Sequence, residues 1–274
     1  MPHPLPSPPA APVIRALDLT LPLHWLQRGW HDMVRCGWIS LLHGLVMALT
    51  GGLMLLVAYD HFWLLAGAFS GFLLVAPILA TGLYALSSAL ERGEPVRFCI
   101  VLATWLNWRD GRFQPWTSTH WRLMQFGLLL AVAGTAWVLL SAALITLLAP
   151  MPIKTPADFI THVVLARQGF LFELWLALGG VLVAPIFAST VVTIPLLLDR
   201  QVTIKTAVAT SWQVVVANPL VMALWGALIM VLTLLGFASA LTGLLLVMPL
   251  LGHASWHAYR DVLAVSGWPE QEQR

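Results

Sequence analysis

The sequence predicts an all-α membrane protein of six transmembrane helices, arranged as three two-helix repeats of parallel topology, each preceded by a cytoplasmic amphipathic segment. Three observations lead there. Apolar residues make up 59% of the 274 and charged residues 9%, against roughly 45–50% and about 25% in a soluble domain. Uncharged stretches long enough to cross a bilayer separate the charges. One proline-centred motif recurs three times. So few charges cannot cover a soluble globule of this size, and so apolar a chain is no disordered one, which requires low hydrophobicity.

The start, MPHPLPSPPAAP, lacks the basic and apolar regions of a signal peptide, and residues 1–15 read as a short, disordered Pro-rich tail. A single membrane domain is expected over 16–261 and a C-terminal tail over 262–274. Within Leu17–Val34, Leu19, Leu23, Leu26 and Trp30 recur at helical spacing while Arg28, Asp32 and Arg35 can face water, as in a helix lying in the membrane interface. Val96–Trp108 and Thr203–Val216 are the other two segments of this kind.

A spanning helix needs about 20 apolar residues, and charges are costly at the bilayer centre. The uncharged gaps therefore locate spans near 39–59, 62–88, 123–149 and 171–197. The last gap, Thr206–Tyr259, holds 54 residues, about 81 Å as one helix. It must fold back, with entry near Pro219 and the turn at Gly236, giving spans near 219–235 and 237–258. In the outer loop, Thr155-Pro156-Ala157-Asp158 has the form of a capping box, so a short helix is expected from Pro156 to about Arg167.

An even number of spans puts both termini on one side. Twelve of the 14 Lys and Arg residues fall there, leaving only Lys154 and Arg167 opposite, so the termini are expected in the cytoplasm. Most tryptophans, Trp25, Trp30, Trp38, Trp105, Trp108, Trp116, Trp121, Trp212 and Trp256, fall at that boundary, where an indole suits the headgroup zone. Cys36 and Cys99 lie on the same reducing side, so no disulfide is expected.

Leu73–Ala80 reads LLVAPILA and Val181–Ala188 reads VLVAPIFA, identical at six of eight positions; Leu245–Gly252, LLVMPLLG, matches the first at five. Leu90-Glu91-Arg92 answers Leu198-Asp199-Arg200, and Trp30 precedes Gly44 by the same 14 residues that separate Trp212 from Gly226. The repeats then run over about 17–92, 93–200 and 201–260. Stripes of small residues (Gly44, Ala48, Gly52; Gly67, Gly71; Gly127, Ala131, Thr135) are expected at close helix contacts.

Pro77, Pro185 and Pro249 are expected to kink the return helices, each freeing the carbonyl four residues earlier. Four residues beyond each stands a polar side chain, Thr81, Ser189 or His253. These either bond within the kinks or form one polar level for a small solute. His43, His253 and His257 are the candidate haem or metal ligands, against interface histidines as the plainer account. No carboxylate falls deep inside the predicted spans, Glu173 standing near the outer end of the fourth and Asp60 in a turn, and no Walker loop, GxSxG or HExxH is present. Arginines between Arg92 and Arg122 suit anionic headgroups. Nucleic acid is not an expected partner, since Glu91, Glu94 and Asp110 interrupt that run.

GWHDMVRCGW before the first span, followed by GFLLVAPILATGLYALSSALERGEPV, resembles a bacterial family of predicted integral membrane proteins without known function, family 2189 of the domains of unknown function. The resemblance runs from about Ala16 to Asp261, with LLVAP…LERGEP its most specific part. It implies a multi-pass inner-membrane protein and supplies no catalytic residues; some members are labelled cytochrome c oxidase subunit I-like. The leading expectation is a non-enzymatic membrane protein without cofactor, acting as scaffold, lipid-interacting protein or assembly factor, with lipids and other membrane proteins as partners. The alternatives are a small-solute or ion transporter working at Thr81, Ser189 and His253, and a redox protein binding haem or metal through His43, His253 and His257.

Overall fold

The computed structural model describes residues 13–58, 80–106, 119–166, 169–265 and 268–270. Among the described residues the fold is helical, with one two-stranded antiparallel ladder in which β1 (Val13–Ile14) pairs with β2 (Leu263–Ala264), so the first and last described stretches meet.

The interfacial segment forms α1 (Leu21–Cys36), entered through the Asp18 carboxylate, which accepts from the Thr20 amide at 2.8 Å, and through Pro22 in the first turn. Gly37, at φ 56°, ends it by donating its N–H to the Met33 carbonyl and turns the chain into α2 (Trp38–Ala58). Most of the span expected at 62–88, with Pro77, Gly67 and Gly71, lies outside the described residues; its end is α3 (Thr81–Glu91). Next come α4 (Phe98–Leu106) and the 30-residue α5 (Thr119–Leu148).

The outer loop carries the expected box. The Asp158 carboxylate accepts from the amides of Lys154 and Thr155, and the Asp158 amide donates to Thr155 Oγ1 at 3.2 Å. The short α6 (Pro156–Phe159) continues as a π-helical turn, Ile160–Val164.

The fourth span forms as α7 (Leu171–Thr190) and α8 (Thr193–Asp199), interrupted at Val191–Val192. Pro195 explains the break: it has no N–H for the Val191 carbonyl, and regular bonding resumes with the Leu196 amide on Val192. Thr203 Oγ1 caps α9 (Ile204–Ala217) by accepting from the Thr206 amide, and Pro219 opens α10 (Pro219–Ala238).

The fold-back after α10 is later than expected. Helix continues through Gly236, and the turn is Ser239–Gly243, with Ala240 (φ 52°) and Leu241 (φ 68°) left-handed. Gly236 serves packing instead: a Cβ there would lie 2.7 Å from the Leu244 side chain. Ser239 Oγ closes the turn by accepting from the Gly243 amide at 2.8 Å.

The last helix, α11 (Leu244–Val262), packs against α1, α2, α3, α8 and α10. Around it lies the main core, where Trp25 and Trp225 meet edge to face at 5.5 Å beside Tyr259, Trp256 and Met222. Trp25 and Trp256 are thus core residues and not part of a headgroup belt, their indoles donating to Asp261 and Glu91; Trp30 and Trp38 are exposed. The stretch beyond Asp261 also packs inward: Leu263, Val265 and Trp268 are buried, and the Gln201 amide donates to the Pro269 carbonyl.

Among the described residues, four helices are long and apolar enough to cross a membrane: Trp38–Leu56, Trp121–Leu148, Leu171–Asp199 and Pro219–Ala238. Of the first small-residue stripe, Gly44 makes the close contact. A Cβ there would fall 2.3 Å from the Leu245 carbonyl oxygen, the group left without its helical donor by Pro249. Gly52 meets nothing within 4 Å; its neighbour Gly51 faces Leu241 instead.

Candidate functional site: a buried polar chain between four helices

Where α1 crosses α11, Gly29 lets the backbones touch: a Cβ at this position would lie 2.7 Å from the Ala254 amide nitrogen. That contact carries Asp32, one turn further along α1, in among α3 and α11. The sequence pattern assigned Asp32 to water, but it is 8% exposed. Leu23, Trp30 and Val34 form the exposed side of α1, so the face bearing Trp25, Gly29, Asp32 and Cys36 turns inward. A charged carboxylate there requires hydrogen-bond donors.

Ser87 of α3 and His257 of α11 supply them, Ser87 Oγ at 2.7 Å and His257 Nε2 at 2.8 Å from Asp32 Oδ2. Burial raises the Asp32 pKa, but the two hydrogen bonds outweigh it and hold the carboxyl below its ordinary value of 3.8. Ser87 Oγ also lies 2.7 Å from His253 Nδ1, and Ser40 Oγ of α2 lies 2.8 Å from His253 Nε2.

Counting hydrogens fixes the direction of every bond. The carboxylate only accepts, so the single Ser87 proton goes to Asp32. Ser87 must then accept from His253 Nδ1–H, which leaves Nε2 to accept from the Ser40 hydroxyl. The chain reads Ser40 to His253 to Ser87 to Asp32, with His257 donating from the side. Ser40, Ser87 and His253 are at most 1% exposed. The chain ties Asp32 of α1, Ser40 of α2, Ser87 of α3 and the two histidines of α11 to one another and so holds the four helices in one register.

His43 lies one turn beyond Ser40 and is buried, its Nδ1–H donating to the Ile39 carbonyl at 2.8 Å. Both nitrogens of His253 face serines and His257 Nε2 faces Asp32, so the three candidate ligands turn ring nitrogens to other partners. Among the described residues no group of three His, Cys, Asp or Glu is placed to hold a metal ion.

The residues of the proposed polar level have separate hydrogen-bond partners where these are given. Thr81 is buried at the start of α3, and Ser189 Oγ accepts from Trp212 Nε1 at 2.9 Å between α7 and α9. His253 binds Ser40 and Ser87, and Pro77 lies outside the described residues. Sequence reading missed Asp32, Ser40 and Ser87. A usable signal existed for two of them: Asp32, Cys36 and Ser40 are spaced by four, as are His253 and His257.

Beyond the chain lies a belt of ion pairs. Asp261 pairs with Arg28, and Arg260 reaches both Glu91 (3.1 Å) and Asp199 (3.8 Å). Tyr259 Oη donates to Asp199 at 2.6 Å, and Arg200 pairs with Asp199 and with Glu270. Glu91 and Asp199 are the acids of the LER and LDR motifs, so one arginine gathers both.

No curated protein and no solved structure matches the chain. The stretch that does match a known family is narrower than the resemblance read from the sequence and leaves out GWHDMVRCGW: residues 64–199 match the model of the family described as "Predicted integral membrane protein (DUF2189)".

Proposed function

We propose that this protein is a non-enzymatic, six-span inner-membrane scaffold, with both termini in the cytoplasm and with lipids and other membrane proteins as its partners. The observation that carries the reading is the division of its surface. The four long helices present Leu49, Leu56, Leu128, Leu139, Val181 and Leu234 outward, while the buried hydroxyls, imidazoles and carboxylate of the polar chain are turned on one another. A transporter or redox centre keeps some such groups open to its cargo, whereas a scaffold needs them closed. In this reading α11 and the segment at 62–88 complete the six spans, and no haem or metal is required at His43, His253 and His257.

Packing supports the threefold repeat. Each amphipathic helix lies on a return helix of another repeat: α4 on α3, α9 on α7, and α1 on α11. Gly44 of α2 meets α11, and Gly226 of α10 meets Phe187 of α7, so the outward helices follow the same order. The meeting of β1 and β2 supports a common side for the termini.

The experiment is topology mapping with an impermeant thiol reagent on spheroplasts, using Thr242→Cys in the exposed turn and a cysteine placed after residue 270. Labelling of Thr242→Cys from outside, with the C-terminal cysteine protected, is expected. Equal labelling of both overturns the topology. Co-purification of the same membrane proteins by wild type and by His253→Gln is the expected scaffold result, and a substrate-dependent activity lost in His253→Gln would refute the non-enzymatic reading.

A further inference from the structure

Where the chain ends meet, Arg15, Arg200 and Arg260 line a cleft of about 380 Å³ together with the β2 backbone and Glu270. The floor is built. Arg200, 8% exposed, spends Nε on Asp199, one terminal nitrogen on the Trp268 carbonyl and the other on Glu270 Oε1 at 3.2 Å. Arg260 enters from α11, its charge shared with Glu91 and Asp199.

Arg15 is different. Its backbone is fastened at both ends, the amide donating to the Val262 carbonyl and its own carbonyl accepting from Asn218 Nδ2. Yet its guanidinium, on the exposed rim, has no ion pair among the described residues. The cleft's own carboxylate is the displaceable part, since the Glu270 side chain is 77% exposed. Turning it outward leaves three guanidiniums facing, among the described residues, only Asp199 and Glu91, an excess of one positive charge.

We propose that this cleft binds a phosphate ester, whose phosphate takes the place of the Glu270 carboxylate on Arg200 and bridges to Arg15. Phosphate suits the site better than a second carboxylate because its oxygens can engage guanidinium forks in different planes. The volume exceeds that of a bare phosphate ion, which leaves room for the esterified group. Two sources share this chemistry, an anionic lipid headgroup at the cytoplasmic surface and a soluble phosphate ester. Only the lipid source rests on the membrane placement proposed above.

The test uses the full chain and two exposed-residue variants, Arg15→Gln and Glu270→Gln. Calorimetry in neutral detergent measures binding of glycerol phosphate. Native mass spectrometry after reconstitution into phosphatidylcholine nanodiscs, with and without phosphatidylglycerol, measures retained lipid. The expected result is binding weakened about tenfold by Arg15→Gln, the loss of one charge-assisted contact, and strengthened by Glu270→Gln, with melting temperatures unchanged. Variant-sensitive glycerol phosphate binding identifies the soluble source, and variant-sensitive phosphatidylglycerol retention identifies the lipid. Absence of both, or binding that neither variant moves, overturns the site. A topology map opposite to that proposed leaves the calorimetric arm standing, so the two readings fail separately.

Discussion

Removing the Asp32 carboxylate is the sharpest perturbation of the polar chain. In Asp32→Ala the Ser87 hydroxyl, 1% exposed, and the His257 Nε2–H both lose their acceptor. Each stranded buried donor costs about 1–3 kcal/mol, so the pair predicts about 4 kcal/mol of destabilisation. Asp32→Asn keeps a neutral oxygen in the same place and exchanges two charge-assisted hydrogen bonds for ordinary ones, a loss of about 2 kcal/mol. Serine rotation in Asp32→Ala gives partial relief at most, because Ser87 is already committed as acceptor to His253 Nδ1–H. The assay is tryptophan fluorescence of the purified protein as denaturing detergent replaces neutral detergent in mixed micelles. The expected order is wild type, then Asn, then Ala. The double variant Asp32→Ala/Ser87→Ala should recover part of the loss by removing one stranded group. An Asp32→Ala protein within about 0.5 kcal/mol of wild type, the range of ordinary surface substitutions, would falsify the hydrogen-bond chain.

Three further outcomes follow from the same geometry. Gly44→Ala places a methyl 2.3 Å from the Leu245 oxygen, which only separation of α2 from α11 can relieve, and the same unfolding assay should show a loss of about 2–3 kcal/mol; Gly52→Ala, with open space around it, should show none. Burial pushes the Cys36 thiol up to about 11, so maleimide at neutral pH should modify exposed Cys99 and spare Cys36 until the protein is unfolded, as peptide mass spectrometry would reveal. Asp32 has its folded pKa depressed, so its contribution is present above the unfolded value of 3.8 and is lost as the pH falls below it. Wild type should therefore lose stability over that acid range relative to Asp32→Asn, which lacks the titrating group, and parallel curves for the two proteins would contradict the assignment.

Much of the framework was legible because it follows from period and punctuation. The apolar gaps mark the four long helices, Pro219 marks the entry of α10, and Thr155 with Asp158 marks the outer helix start, all of them local rules. Sequence reasoning failed where one residue type serves two ends. Gly236 reads as a turn and is a packing notch, whereas Ala240 and Leu241 adopt left-handed backbone that their own side chains disfavour. Trp25 reads as an interfacial indole and is buried because Asp261, far along the chain, receives its N–H. Asp32 failed for the same reason: only the fold brings Ser87 and His257 to it, and an amphipathic pattern cannot distinguish a charge facing water from one facing a partner helix. The small-residue stripe was correct at Gly44 and wrong at Gly52, since spacing specifies a face and not how far along it the neighbour reaches.

The polar chain occupies the one junction where it has the most to do. The contact of α4 with α3 and that of α9 with α7 join elements close in sequence, linked through Arg92–Arg97 and through α8 to Thr203. Chain connectivity keeps those partners at high local concentration. The contact of α1 with α11 joins the first helix to the last across more than 200 residues. Closing so long a loop costs more entropy than closing a short one, and the longer tether keeps the parted helices at lower local concentration. The directional interactions gather there: the Asp32 chain, the Arg28–Asp261 pair, the Trp25 indole on Asp261, the Gly29–Ala254 approach and the β1–β2 ladder. The same requirement accounts for the composition of α11. Surrounded by protein along its second half, it carries two histidines, an arginine and an aspartate that would be costly in lipid; His253, His257 and Asp261 fasten it to the first two helices, and Arg260 to Glu91 and Asp199.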